Sequence, residues 1–136
     1  MTTPRGIRNN NPLNIRISNN RWKHKITPSA DPAFEQFDTI FWGIRAAFII
    51  IRTYLSRRYR CRTVHDVIAR FAPASENDVE KYTDYVCKRA YIPSNEQLEF
   101  KNKNQMCRLL WAMAQYENGQ EVRFSYFESA YAYVSM

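Results

Sequence analysis

The sequence predicts one mainly α domain of the α+β class, with five helices and a small β-hairpin near the N-terminus. Three observations carry that expectation. Apolar residues recur at spacings of three and four, most clearly from Thr39 to Ser56, as a buried helical face requires. Polar residues and one glycine punctuate such stretches where helix caps belong. Ahead of them, Leu13, Ile15 and Ile17 alternate with polar residues, the period of a half-buried strand.

The first segment reads Arg5-Gly6-Ile7-Arg8-Asn9-Asn10-Asn11-Pro12-Leu13-Asn14-Ile15-Arg16. No helix or strand period fits it. Asn, Gly and Pro each favour turns, but a turn needs only one or two of them. Amides supply donors and acceptors, and guanidinium groups supply a charged planar fork. The segment is therefore expected to be an ordered loop that holds a polar ligand. Arg5, Arg8, Asn9, Asn10, Asn11, Asn14 and Arg16 are its binding residues.

Leu13 to Ile17 and Trp22 to Ile26 are the expected hairpin strands, separated by Ser18-Asn19-Asn20-Arg21. Phe34 and Phe37 mark a third short strand. Thr39 to Ser56 follows as the central buried helix, with Ile44, Ala47, Phe48, Ile51 and Leu55 inward. Gly43 within it costs about 1 kcal/mol relative to Ala, so another backbone is expected to pass close by. Thr63-Val64-His65-Asp66 opens a short helix that ends near Phe71. Asn77 and Glu80 open the next, with Val79, Tyr82 and Val86 inward, and Pro93 closes that section. A helix from Asn104 to Tyr116 turns Met106, Leu109, Leu110, Met113 and Ala114 inward. Gly119 sits where a left-handed cap is wanted. Ser125 and Glu128 open the last helix, through Phe127, Ala130, Tyr131 and Val134.

The chain has 136 residues, 45% of them hydrophobic and 15% aromatic, and a formal charge of +7. That suits one domain with a real core and an aromatic surplus for a groove. A basic surface draws polyanions. Its densest basic run is Arg52, Arg57, Arg58, Arg60 and Arg62. Cys61, Cys87 and Cys107 contain no CxxC, and His24 and His65 add no cluster, so three reduced thiols and no metal or cofactor are expected. The chain opens on a polar loop without a signal-like apolar core. The apolar stretch from Phe41 to Ile51 is too short to span a bilayer. Synthesis in a reducing cytoplasm, with no membrane partner, follows as the expectation.

Residues 5–16 resemble the opening of small phage-type virion proteins and their bacterial relatives, a group of structural proteins and cell-wall lytic enzymes. Three further pieces fit that group in order. They are Phe34-Glu35-Gln36-Phe37-Asp38 running into Gly43-Ile44-Arg45-Ala46, then Ala72 to Asp78 with Tyr82 and Val86, then Ala112 to Gly119. The resemblance implies a lysozyme-like helical domain in which a small sheet borders a groove. It implies peptidoglycan glycan strands as partner, with virion or secretion-apparatus proteins beside them. It also implies association with a virion or delivery to the cell wall.

Cleavage of a glycosidic bond needs a carboxyl that stays protonated near neutral pH. Glu117 is the first candidate. It ends the apolar run Leu109 to Tyr116, where the negative end of a helix dipole disfavours an ionised carboxyl. The arrangement resembles the helix-end Glu, followed by Gly, of goose-type lysozymes and transglycosylases. The order of the pieces is reversed here, which a circular permutation reconciles. Glu35 and Asp38 lie at a strand-to-helix transition and are second candidates, and Glu76 within the Ala72 to Asp78 piece is the fourth. Asp38 also suits the N-cap of the long helix. The sequence contains no GxSxG, HExxH or phosphate-cradling glycine loop.

Three functions remain, in this order. The first is a murein glycosidase or lytic transglycosylase with Glu117 as its acid. The second is a non-catalytic virion structural or wall-binding protein on the same fold. The third is a basic nucleic-acid binder, disfavoured because no reading helix or RNP-type motif accompanies the charge.

Overall fold

The computed structural model describes residues 3–72 and 77–135. Six helices span Arg5–Arg8 (α1), Ile40–Tyr54 (α2), Val64–Phe71 (α3), Val79–Ala90 (α4), Lys103–Asn118 (α5) and Phe124–Val134 (α6). The sequence-based boundaries of α2 to α6 differ from these by a few residues at most. Thr63 caps α3 with a reciprocal capping box: its hydroxyl accepts from Asp66 N–H and the Asp66 carboxylate accepts from Thr63 N–H. Asp78 caps α4 and Asn102 caps α5, each accepting from the backbone N–H three residues on. Gly119 closes α5 at φ 69°.

The expected β-hairpin does not form. Among the described residues there is no strand, only isolated antiparallel bridges from Arg16 to Phe34 and from Lys25 to Phe37. Residues 13–17 and 22–26 do not pair with each other, because residues 33–38 run between them. Glu35 N–H donates to Ile15 O and Ile17 N–H to Ala33 O on one side. Ile26 N–H donates to Gln36 O and Asp38 N–H to His24 O on the other. Asn14 and His24 take φ values of 54° and 61°. Each such residue leaves the extended region and stops a ladder from propagating. The small sheet required by the lysozyme-like α+β plan is therefore absent from the described residues, and the architecture is mainly α.

Two further expectations change. The first four residues of the ligand loop, Arg5 to Arg8, wind into the single turn α1. The most buried helix is α5 rather than α2. It packs against both α4 and α6, so Met106, Leu109, Leu110 and Met113 lie fully inside while Cys107 and Ala112 are buried on other faces. Helix α2 packs mainly on α6 and leaves one side for the N-terminal arm. Gly43 on that side faces the backbone of Asn10 and Asn11, the close approach anticipated from its sequence. Cys61, Cys87 and Cys107 are free thiols, and burial pushes the Cys107 thiol up to about 11.

Candidate functional site

The Asn-rich segment is ordered, and most of its polar groups face inward. Arg5 forms a two-pronged ion pair with the Asp31 carboxylate at 2.6 and 2.7 Å. Asn9 Nδ2 donates to the same carboxylate at 3.1 Å, and Ala33 and Phe34 N–H donate to it as well. These donors hold the Asp31 carboxyl far below the usual range. Asn10 Nδ2 donates to Phe37 O at 3.0 Å. Asn11 is fully buried and joins Ile15 to Glu35. Arg5, Asn9, Asn10 and Asn11 thus build the loop itself, while Arg8 is exposed. Of the seven expected binding residues, Asn14 and Arg16 reach a groove.

That groove, of about 1130 Å³, runs between the N-terminal arm and the α2, α3 and α5 ends. It exceeds the usual range for a small-molecule pocket, about 300–1,000 Å³. Trp22, Phe34, Tyr54, Tyr59 and Phe71 supply aromatic lining. Arg16, Arg21, Lys23, Arg45 and Arg70 supply positive charge. Among the described lining residues, Glu117 is the sole acid.

Glu117 occupies the last turn of α5. Asn14 Nδ2 donates to its Oε1 at 2.9 Å, and the Tyr82 hydroxyl meets Oε2 at 2.8 Å. Asn14 can point there because it adopts a left-handed φ of 54°, a conformation Asn tolerates. The next residue, Asn118, staples the loop to the helix: its Nδ2 donates to Pro12 O and Ala114 O, both at 2.8 Å. Gly6 packs where an added Cβ would meet Asn118 Oδ1 at 2.6 Å and Asn14 Oδ1 at 2.9 Å. Glu117 and the Asn-rich loop, over a hundred positions apart in the chain, are thereby neighbours.

Burial raises the Glu117 pKa, while the bonds from Asn14 and Tyr82 oppose the rise. The sequence argument reached the same direction through the helix dipole; the larger cause is desolvation. Tyr82 is itself fully buried, stacked on Tyr116 at 4.0 Å, with its pKa raised well above the ordinary value by burial and by Glu117. Oε1 accepts from Asn14 and Oε2 accepts from the Tyr82 hydroxyl, which also lies 3.5 Å from Met113 O.

Glu117→Gln is therefore expected to stabilise the protein at neutral pH. A carboxyl whose folded pKa is raised contributes fully below its ordinary value of 4.5. That contribution is lost as pH rises through the raised value. The variant should melt with wild type near pH 4 and a few degrees above it at pH 7–8. Identical melting differences at both pH values would show that Glu117 carries no burial penalty.

The other acids lie elsewhere. Glu35 is buried and accepts from Ser18 N–H at 3.2 Å and Lys25 Nζ at 3.1 Å. Asp38 is exposed near the start of α2, 3.5 Å from His24 Nδ1. Neither lines the groove. Glu76 lies outside the described residues. Three site residues escaped the sequence argument as functional positions: Tyr82, Asn118 and Gly6. Tyr82 is expected from the sequence as an inward residue of its helix and as part of the Ala72 to Asp78 resemblance, without a role at the acid. No group of His, Cys, Asp and Glu suited to a metal occurs among the described residues, and no described helix is long and apolar enough to cross a membrane.

Fold and groove together define a small, basic, mainly α protein with a half-buried acid in a polymer-sized cleft. No protein-family profile matches the chain. Protein P5 of Pseudoalteromonas phage PM2 is 40% identical over 118 residues, covering 85% of this chain and 71% of the relative. The chain belongs to the family of that phage protein, which establishes the phage kinship expected from its Asn-rich opening.

Proposed function

We propose that this phage-type protein binds murein glycan strands in its groove and cleaves them with Glu117 as proton donor. The observation that carries the reading is a carboxyl whose pKa is raised by burial, held by Asn14 and Tyr82 on the wall of a polymer-sized, aromatic-lined groove. Glu117 donates its proton to the glycosidic oxygen as the C1–O bond breaks. C1 is then captured by the C6 hydroxyl of the same sugar, whose proton returns to Glu117 and leaves a 1,6-anhydro end, as in a lytic transglycosylase, or by water, which leaves a reducing end.

A second reading, a virion structural or wall-binding protein without catalysis, is favoured by the phage relative and by the structural use of Arg5, Asn9, Asn10 and Asn11. A zymogram on purified murein separates the two. Wild type should clear the gel, and Glu117→Gln should lose about 10²–10⁴-fold in activity. Mass analysis of the products, as anhydro or reducing ends, tells transglycosylation from hydrolysis. Full activity in the variant makes Glu117 structural. An inactive wild type that still binds sacculi selects the second reading.

A further inference from the structure

Two buried donors in the groove wall have no partner: Arg45 Nε and Trp22 Nε1. Orphaned buried donors are uncommon and costly, and both residues line the groove. Arg45 projects from the middle of α2, and Trp22 comes from the N-terminal arm. Beside them, the Arg45 guanidinium and the Lys23 ammonium lie 5.9 and 6.0 Å from the centre of one ring, Tyr133 of α6. Arg45 is also 5.9 Å from the Trp42 ring, which meets Tyr133 edge-on at 5.6 Å. The Tyr133 ring thus gathers two cations that line the groove. Among the described residues no carboxylate pairs with either of them.

We propose that Arg45, Lys23 and Trp22 form a subsite that receives a carboxylate substituent of the glycan strand. It rests on the glycan reading of the groove and adds the requirement that the strand be anionic. The chemistry is complementary. A carboxylate offers two oxygens and about four lone-pair positions, accepts the planar Arg fork on two sides, and supplies the negative charge that two neighbouring cations lack. A hydroxyl or acetamido group could accept from Trp22 but would leave both charges uncompensated. A neutral chitin-type strand is therefore a poor ligand. In murein the carboxylate belongs to the stem peptide where one is attached, and to the lactyl ether of the sugar where the peptide has been removed; the subsite recognises their shared chemistry.

The test is co-sedimentation of the full-length Glu117→Gln protein with purified sacculi, so that cleavage does not disturb binding. Amidating the sacculus carboxylates with a carbodiimide and methylamine should weaken binding about tenfold. Arg45→Gln should lose about as much on native sacculi and little more on amidated ones. Arg45→Lys, which keeps charge but not the fork, should fall between. Amidase-stripped strands, in which removal of the peptide frees the lactyl carboxylate, separate the sources: retained binding shows that the lactyl carboxylate is accepted, lost binding that the peptide carboxylate is required, and either supports the subsite. Equal binding to native and amidated sacculi overturns it. So does an Arg45→Gln loss that is the same on both, which would mark a structural role. Displacement by single-stranded DNA at lower concentration than by murein fragments overturns it in favour of a nucleic-acid groove. Lysis by wild type is a separate readout, so loss of the cleavage reading and loss of the subsite are told apart.

Discussion

Asn11→Ala is expected to lower the free energy of unfolding by about 3–5 kcal/mol. The Asn11 side chain is fully buried. Its Nδ2 donates to Ile15 O at 3.0 Å and to Glu35 O at 2.9 Å, and its Oδ1 accepts from Ile15 N–H at 2.9 Å. Alanine leaves the Glu35 carbonyl and the Ile15 N–H unsatisfied in a dry interior, each at a cost of about 1–3 kcal/mol, partly relieved by any water that enters, while Ile15 O keeps its bond from Glu35 N–H. The consequence reaches the groove, because Asn11 O accepts from Asn14 N–H at 2.9 Å and so helps to place the amide that holds Glu117. Urea denaturation of wild type and variant measures the loss. A difference below about 1 kcal/mol would mean that the arm is held by its apolar contacts and that its polar web is incidental.

Gly43→Ala should cost about 2–4 kcal/mol despite the better helix propensity of alanine, worth about 1 kcal/mol in an exposed helix. The added Cβ would run into the Asn10 carbonyl oxygen and would also lie 3.0 Å from Asn10 C and 3.2 Å from Asn11 Cα. These are backbone atoms, and they cannot swing aside. Asn10 is tied to Phe37 O and Asp38 O, and Asn11 to Ile15 and Glu35. Either α2 or the arm must move, and both form walls of the groove. Gly119 is the comparison: at φ 69°, with open space where an added Cβ would stand, its replacement by Ala should cost only about 1 kcal/mol. Thermal melts of the two variants decide it. Equal destabilisation would place the cost in backbone preference rather than in the contact between α2 and the arm.

How the arm folds explains why its side chains were hard to read from the sequence. Asn side chains suit a ligand site and a backbone-bracing loop equally, since both need amide donors and acceptors. Which one results depends on what lies opposite. Asn10 and Asn11 face carbonyls of residues 35–38 and Asn9 faces Asp31, so all three brace the arm. Asn14 alone among the four faces the groove acid. The two alternating runs at 13–17 and 22–26 carry strand-like patterns, but periodicity does not name the partner. The partner was residues 33–38, and the left-handed Asn14 and His24 kept each pairing to a single bridge.

The sequence alone determined the mainly helical character, the caps at Thr63 and Gly119, and the closeness of a backbone to Gly43. Each of these is local: periodicity, a hydroxyl three residues before an acceptor, a missing side chain. It also determined Glu117 as the acid worth following, from its place at a helix end. Only the tertiary structure decided that Glu117 meets Asn14, that Tyr82 and Asn118 support it, and that Glu35 and Asp38 lie away from the groove. It likewise decided that α5 rather than α2 lies deepest and that Trp22, Lys23 and Arg45 line one groove. These are relations between segments up to about a hundred residues apart. Such contacts arise when apolar faces close on one another, and burial then selects which polar groups find partners and which are left facing the cleft.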